Sequence, residues 1–183
     1  MRFTPTEIPE VLLVEPQVFG DERGFFLEMW SEPKFVGAGV VAEFVQDNWS
    51  RSRRGVLRGL HYQLAVPQGK LVRVVRGSVF DVAVDLRRAS PTFGRWVGRR
   101  LDAANRHALW IPPGFAHGFL VLEDDTDVVY KCSGRYDPSS ERTIAWNDPT
   151  IGIAWPLDGV GEPTLSEKDR TKAATLREAE VYA

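Results

Sequence analysis

From Val79 to Arg87 the chain alternates almost strictly between two faces. Val79, Asp81, Ala83, Asp85 and Arg87 point one way; Phe80, Val82, Val84 and Leu86 point the other. A period of two with one polar face predicts a half-buried antiparallel strand. Just upstream, Leu71–Arg76 is rich in β-branched residues, and Gly77-Ser78 between the two runs is turn chemistry. Further strand-like runs are Gly24–Trp30, Val41–Trp49, Gly94–Leu101, Ala108–Ile111, Gly118–Leu122, Asp127–Cys132 and Thr143–Trp146. Ser90-Pro91, Pro112-Pro113-Gly114, Glu123-Asp124-Asp125, Asp137-Pro138 and Asn147-Asp148-Pro149 punctuate them. Many short strands at near-regular spacing predict an all-β sandwich or barrel. Helix signals are few. Ser31-Glu32-Pro33 opens a short capped helix with proline in its first turn, and Ser166-Glu167-Lys168-Asp169 reads as a capping box opening a final helix. The pattern does not separate a jelly roll from an up-and-down barrel.

Composition narrows the function classes. At 183 residues the chain is most simply one domain, 1–183, large enough to build a core without disulfide or metal. Its 23 basic and 25 acidic residues give a net charge of -2, which is no footprint for nucleic acid or an anionic membrane. One cysteine, Cys132, excludes an intrachain disulfide and a thiolate zinc site. The apolar run Val11–Val14 is too short for a signal-peptide core, and Ala108–Leu122 is too short and too rich in proline and glycine to span a bilayer. A soluble, cytoplasmic protein is the expectation.

The densest candidate chemistry lies in Gly55–Gln63. Arg58 and His61 stand three apart, so on a regular strand they would face opposite sides. A bulge at Gly59 would aim both into a barrel mouth. The alternative is a surface arginine and a satisfied core histidine. A metal reading fails on spacing: the position two after His61 is Gln63, and Lys70 would repel a cation. Lys70 opens a strand, where a lysine stabilises an oxyanion or holds a phosphate, unless it is simply solvated. Tyr130 ends a strand, either as a general acid or stacking surface or as a structural tyrosine. Asp169 either closes the capping box with Ser166 or bonds a histidine ring and sets its tautomer. His107 has no evident companion group.

Taken in register, the segments are similar to the dTDP-4-dehydrorhamnose 3,5-epimerase family. The resemblance runs through Phe19-x-Asp21-x-Arg23-Gly24-x-Phe26-x-Glu28, Gln46-Asp47-Asn48, Gly55–Gln63, Gly69-Lys70 and Gly77–Asp85. It continues through Ile111-Pro-x-Gly-Phe-Ala-His117-Gly-Phe119, Tyr130-Lys-Cys132, Trp155-Pro156 and Ser166-x-Lys168-Asp169. It implies a cupin-type jelly-roll β-barrel with short flanking helices. The implied activity is epimerisation of dTDP-4-dehydro-6-deoxy-D-glucose at carbons 3 and 5, a step in dTDP-L-rhamnose biosynthesis, with no cofactor and no metal. His61 is then the base, supported by Asp169; Tyr130 is the acid; and Lys70 lies near the enolate oxygen. Arg23, Glu28, Gln46, Asn48 and Arg58 match nucleotide and diphosphate contacts, His117 a sugar contact, and Tyr136 the tyrosine that stacks on thymine. Glu141 and Lys168 match further substrate contacts. Arg23, Arg58, Lys70 and Lys168 make an expected cationic pocket that the balanced net charge conceals.

The resemblance also implies a homodimer with strand exchange, in which Arg23 and Glu28 serve the partner's site. One departure is that Arg135 precedes Tyr136 where many members carry two adjacent tyrosines. That bears on loop packing and nucleotide fit rather than on the chemistry. Alternatives are a mono-epimerase of a dTDP-4-keto-deoxysugar and, more distantly, a metal-dependent cupin or a non-catalytic nucleotide-sugar-binding barrel.

Overall fold

The computed structural model describes residues 1–183. The chain runs through β1 (Arg2–Pro5), β2 (Leu12–Glu15), β3 (Val18–Asp21) and β4 (Gly24–Leu27) to a short helix, α1 (Glu32–Gly37). Next come β5 (Gln46–Ser52), β6 (Leu57–Gln63), β7 (Lys70–Arg76), β8 (Ser78–Asp85) and β9 (Trp96–Asp102). β10 (Ala108–Ile111), β11 (Phe115–Val121), β12 (Thr126–Cys132), β13 (Glu141–Thr143) and α2 (Glu167–Thr171) complete it.

Six strands form one sheet in the order β1-β2-β10-β7-β12-β5, and five form a second in the order β13-β6-β11-β8-β9. Neighbours pair antiparallel throughout. The two sheets pack face to face as the expected jelly roll. Val72 and Val74 of β7, Val79 and Ala83 of β8, Leu109 and Ile111 of β10, and Phe115, Phe119 and Val121 of β11 fill the space between them. Fully burying a Val, Leu or Phe side chain is worth about 1.5–3 kcal/mol, so this layer contributes heavily to stability. At one end the apolar filling gives way to polar side chains, and there the cavity described below opens.

β8 departs from the half-buried strand that its alternation predicts. Val82, Val84 and Leu86 lie on the outer face of the five-stranded sheet and are buried by Ile144, Ile151, Trp155 and Leu176. Asp81 and Asp85, on the polar face, are also fully buried. Asp85 survives burial because Arg87, Ser90 and Thr92 all donate to it, at 2.6–2.9 Å. Burial opposes its ionisation, but these donors prevail and bring its pKa down to about 2.

Other boundaries shift as well. β1, β2 and β3 are only four residues each and gave no alternation to read. β5 begins at Gln46 rather than Val41. Pro33 does sit in the first turn of α1, but Ser31 makes no side-chain cap bond. The final helix that Ser166 opens, α2, is five residues long.

Candidate active site

The bulge in β6 sets the site. Against β11, His61 pairs with His117 and Arg58 pairs with Phe119, with a register shift between. The extra residue puts Arg58 and His61 on the same inner face, the first of the two arrangements their spacing allows. Gly59 has φ +127°, and a Cβ there would lie 2.5 Å from Gly118 Cα and 2.8 Å from the His117 carbonyl oxygen. Only glycine permits the two strands to approach this closely.

Both side chains line a cavity of about 560 Å³, together with Lys70, His117, Tyr130, Lys168 and Asp169. A second lobe of about 290 Å³ shares His61, Lys70 and Tyr130 and adds Gln46, Asn48, Tyr136 and Glu141. The three shared residues stand where the lobes meet. His61 comes from the five-stranded sheet; Lys70 and Tyr130 come from the six-stranded sheet opposite.

His61 Nε2 lies 2.6 Å from Asp169 Oδ1. Asp169 is buried, and burial works against its charge, but the His61 bond prevails and holds the carboxyl below its ordinary value. A carboxylate there accepts from Nε2–H, which leaves the lone pair on Nδ1. The capping question divides cleanly. Ser166 Oγ accepts from the Asp169 backbone N–H at 3.1 Å, while the Asp169 side chain goes to the histidine. The reciprocal bond of a full capping box is absent.

Lys70 is 9% exposed and makes no hydrogen bond or ion pair within the protein. Burial lowers its pKa. Burial likewise raises that of Tyr130, keeping the phenol protonated. Arg58 donates from Nε and Nη2 to Ser52 Oγ at 3.2 and 3.1 Å, which leaves its remaining donors for a ligand. His117 Nε2 lies 2.9 Å from Asp81 Oδ2, both residues buried.

In the smaller lobe, Gln46 Nε2 donates to Asn48 Oδ1, and Asn48 Nδ2 to Cys132 Sγ. Gln46 Oε1 accepts from the Tyr136 backbone N–H at 3.0 Å. The Tyr136 ring stays about half exposed. Its hydroxyl donates to Glu141, which also accepts from Lys168 Nζ at 2.7 Å. Burial resists the Glu141 charge, yet those two donors hold its carboxyl below the usual range. Arg135 contributes its backbone carbonyl, which accepts from Gln63, so its side chain is not part of this tie.

Two expected residues are not brought to this cavity. Arg23 sits on the β3–β4 ribbon paired with Asp21, and Glu28 is paired with Lys34 at 2.7 Å. The cationic pocket within one chain is therefore Arg58, Lys70 and Lys168 without Arg23. Two functional neighbours escaped the sequence reading. Ser52 carries no sequence signal of its own, and Asp81 belongs by alternation to a polar strand face. The sequence signals for Asp81 are its place between Val79 and Ala83 on one face and its position inside the family-like segment Gly77–Asp85, neither of which assigns it a partner.

A family model for dTDP-4-dehydrorhamnose 3,5-epimerase matches residues 5–178. The chain belongs to the dTDP-4-dehydrorhamnose 3,5-epimerase family. Among curated proteins, the dTDP-4-dehydrorhamnose 3,5-epimerase of Pseudomonas aeruginosa is 58% identical over 171 residues, 93% of each chain. Among solved structures, a dTDP-6-deoxy-D-glucose-3,5-epimerase from Legionella pneumophila, in complex with dTDP-4-keto-L-rhamnose, superposes with a TM-score of 0.94. It is 48% identical and covers 98% of this chain and 94% of its own. A 3'-monoepimerase from Streptomyces bikiniensis in complex with dTDP-quinovose shares the fold at a TM-score of 0.86 and 39% identity. It covers 94% of this chain and 87% of its own. Members of the epimerase family are isomerases. No helix of this epimerase-family chain is long and apolar enough to cross a membrane. No group of three or more His, Cys, Asp or Glu side chains is arranged to hold a metal ion.

Proposed function

We propose that this chain epimerises dTDP-4-dehydro-6-deoxy-D-glucose at carbons 3 and 5, giving dTDP-4-dehydro-L-rhamnose. The observation that carries the reading is the 2.6 Å His61–Asp169 pair in a cavity shared with Lys70 and Tyr130. Carbons 3 and 5 both lie α to the carbon-4 ketone, so removing either proton gives an enolate. His61 Nδ1 takes the proton, and Asp169 stabilises the imidazolium that forms. Lys70 stabilises the negative oxygen, and its burial strengthens that interaction by excluding water. Tyr130 returns a proton. Because His61 and Tyr130 belong to opposite sheets, a ring lying between them loses its proton on one face and regains one on the other. Arg58 and Lys168 suit the diphosphate, whereas Gln46, Asn48 and the exposed Tyr136 ring suit the nucleotide.

The second reading is a mono-epimerase, favoured by the shared fold of the Streptomyces bikiniensis protein. The same base and acid serve either outcome. Proton NMR in deuterium oxide decides: solvent deuterium and inversion at both carbons support the double reaction, and exchange at one carbon alone rejects it. His61→Ala is expected to abolish exchange while dTDP still binds; residual exchange at the wild-type rate would remove His61 as the base. The proposed chemistry uses no metal, so activity lost to a chelator and restored by iron, zinc or manganese would overturn it.

We also propose that the active form is a homodimer that exchanges its β3–β4 ribbons, so that Arg23 and Glu28 serve the site of the partner subunit. The ribbon pairs only with itself and exposes Phe19, Phe25 and Phe26. An isolated two-stranded ribbon is marginal in water, and aromatic exposure on this scale marks an interface.

A further inference from the structure

We propose that Asp81 is a positioning residue: one carboxylate orients the His117 imidazole and supplies the counter-charge of the Lys70 ammonium. The proposal rests on the reading of Lys70 as the group that stabilises the enolate oxygen.

Asp81 and Asp85 lie on the same face of β8, and both are fully buried. Their surroundings differ. Asp85 is saturated with donors from Arg87, Ser90 and Thr92. Asp81 has a single bond, from Oδ2 to His117 Nε2, and Oδ1 is buried without any partner. A buried carboxylate oxygen without a donor is costly and uncommon. Retaining one inside an otherwise apolar core, between Val79 and Ala83, is explained by a charge that the neighbouring cavity needs.

Two consequences follow from that placement. An Asp81 carboxylate accepts from Nε2–H of His117, so a neutral His117 keeps its lone pair on Nδ1. His117 lines the cavity, and Nδ1 makes no bond within the protein. Burial lowers the pKa of this histidine, which keeps it neutral. A lone pair accepts from a hydroxyl and repels a carbonyl oxygen. His117 therefore reads a sugar hydroxyl and cannot bind the ketone. The charged and titratable groups acting on it are Asp81, Lys70 and His61, with the Tyr130 ring 6.4 Å away.

The charged and titratable groups acting on Lys70 are Cys132 on β12, Asp81 on β8, Glu141 on β13, Lys168 on α2 and His117 on β11, and His117, which Asp81 bonds, lines the same cavity as Lys70. Of the two carboxylates, Glu141 is already bonded to Lys168. Asp81 is bonded to no cation. It is the uncommitted negative charge that offsets the desolvation of Lys70, and without it the ammonium would lose its proton at lower pH.

Three measurements test this. In the wild-type protein, nitrogen-15 NMR of the histidines is expected to show His117 as the neutral Nε2–H tautomer; an Nδ1–H tautomer overturns its orientation by Asp81, whatever any variant does. Asp81→Asn is expected to move the alkaline limb of kcat/KM down by about one pH unit or more, the size of a lost charge partner. A pH profile that superposes on wild type, with only a lower Tm, overturns the counter-charge role. Lys70→Met separates the two levels. If exchange is lost there while Asp81→Asn keeps the wild-type profile, only the Asp81 proposal falls. If Lys70→Met exchanges at the wild-type rate, the oxyanion role of Lys70 falls and the counter-charge role falls with it.

Discussion

Asp169 illustrates how one residue holds two jobs with different atoms. Its backbone N–H is capped by Ser166 Oγ, and its carboxylate bonds His61. Substitutions can therefore separate the jobs. Asp169→Asn leaves the cap intact but replaces the charge that sets the tautomer and basicity of His61. Its solvent-exchange rate is expected to fall by about 10²–10⁴-fold, the usual contribution of a positioned acid–base group, with little change in Tm. Ser166→Ala does the reverse, costing about 1 kcal/mol of stability for the lost cap and leaving the exchange rate nearly unchanged. Paired rate and thermal-unfolding measurements check both, and a stability loss alone in Asp169→Asn would mean that the carboxylate holds the fold together rather than tuning His61. At this scale the sequence was informative where spacing carried chemistry, as with Arg58 and His61. It was silent where a side chain acts through space, because nothing along the chain links Asp81 to His117, 36 positions away.

The strand that carries the base depends on a defect in its own regularity. Without the register shift in β6, Arg58 and His61 would lie on opposite faces of the sheet and one would leave the cavity. Gly59→Ala puts a Cβ at a positive φ and into the backbone of β11. The combined strain and overpacking are expected to cost about 2–5 kcal/mol, seen as a lower denaturation midpoint. A rate loss is expected alongside it. If the variant kept both stability and rate, the close approach at Gly59 would not be what aims Arg58 and His61. The elements themselves are legible where alternation, a continuous apolar or β-branched run, or a flanking turn signal marks them. β7, β8, β10 and β12 stand close to where the pattern put them. β1, β2 and β3 show no alternation, whereas the equally short β10 is an uninterrupted apolar run closed by the Pro112-Pro113-Gly114 turn. The double burial of β8 was hidden for another reason. Its outer face is covered by residues from the 144–176 stretch, where the chain has no repeat from which a packing face could be read.

The whole molecule leaves one part of the expected site unfilled, and that gap makes the dimer testable. Arg23 and Glu28 do not line the cavity of their own chain, while the ribbon that carries Arg23 presents three exposed phenylalanines. On the outer face of the six-stranded sheet, Met29, Trp49, Val75 and Val129 line an apolar groove of about 620 Å³. In a symmetric dimer the same patches meet twice, so each ribbon would reach the other copy's site. Mixing two inactive variants distinguishes this from a site completed within one chain. In a heterodimer of Arg23→Ala and His61→Ala subunits, exchange gives one site with both functional groups and one with neither. Random reassociation makes half the dimers mixed, so activity is expected to recover to about a quarter of wild type. If Arg23 acts within its own chain, every site in the mixture keeps one defect and no activity returns. Replacing Phe25 and Phe26 by serine should prevent the recovery by preventing association, with sedimentation falling from a dimer to the 20.6 kDa chain. Full recovery in that background would place the interface elsewhere.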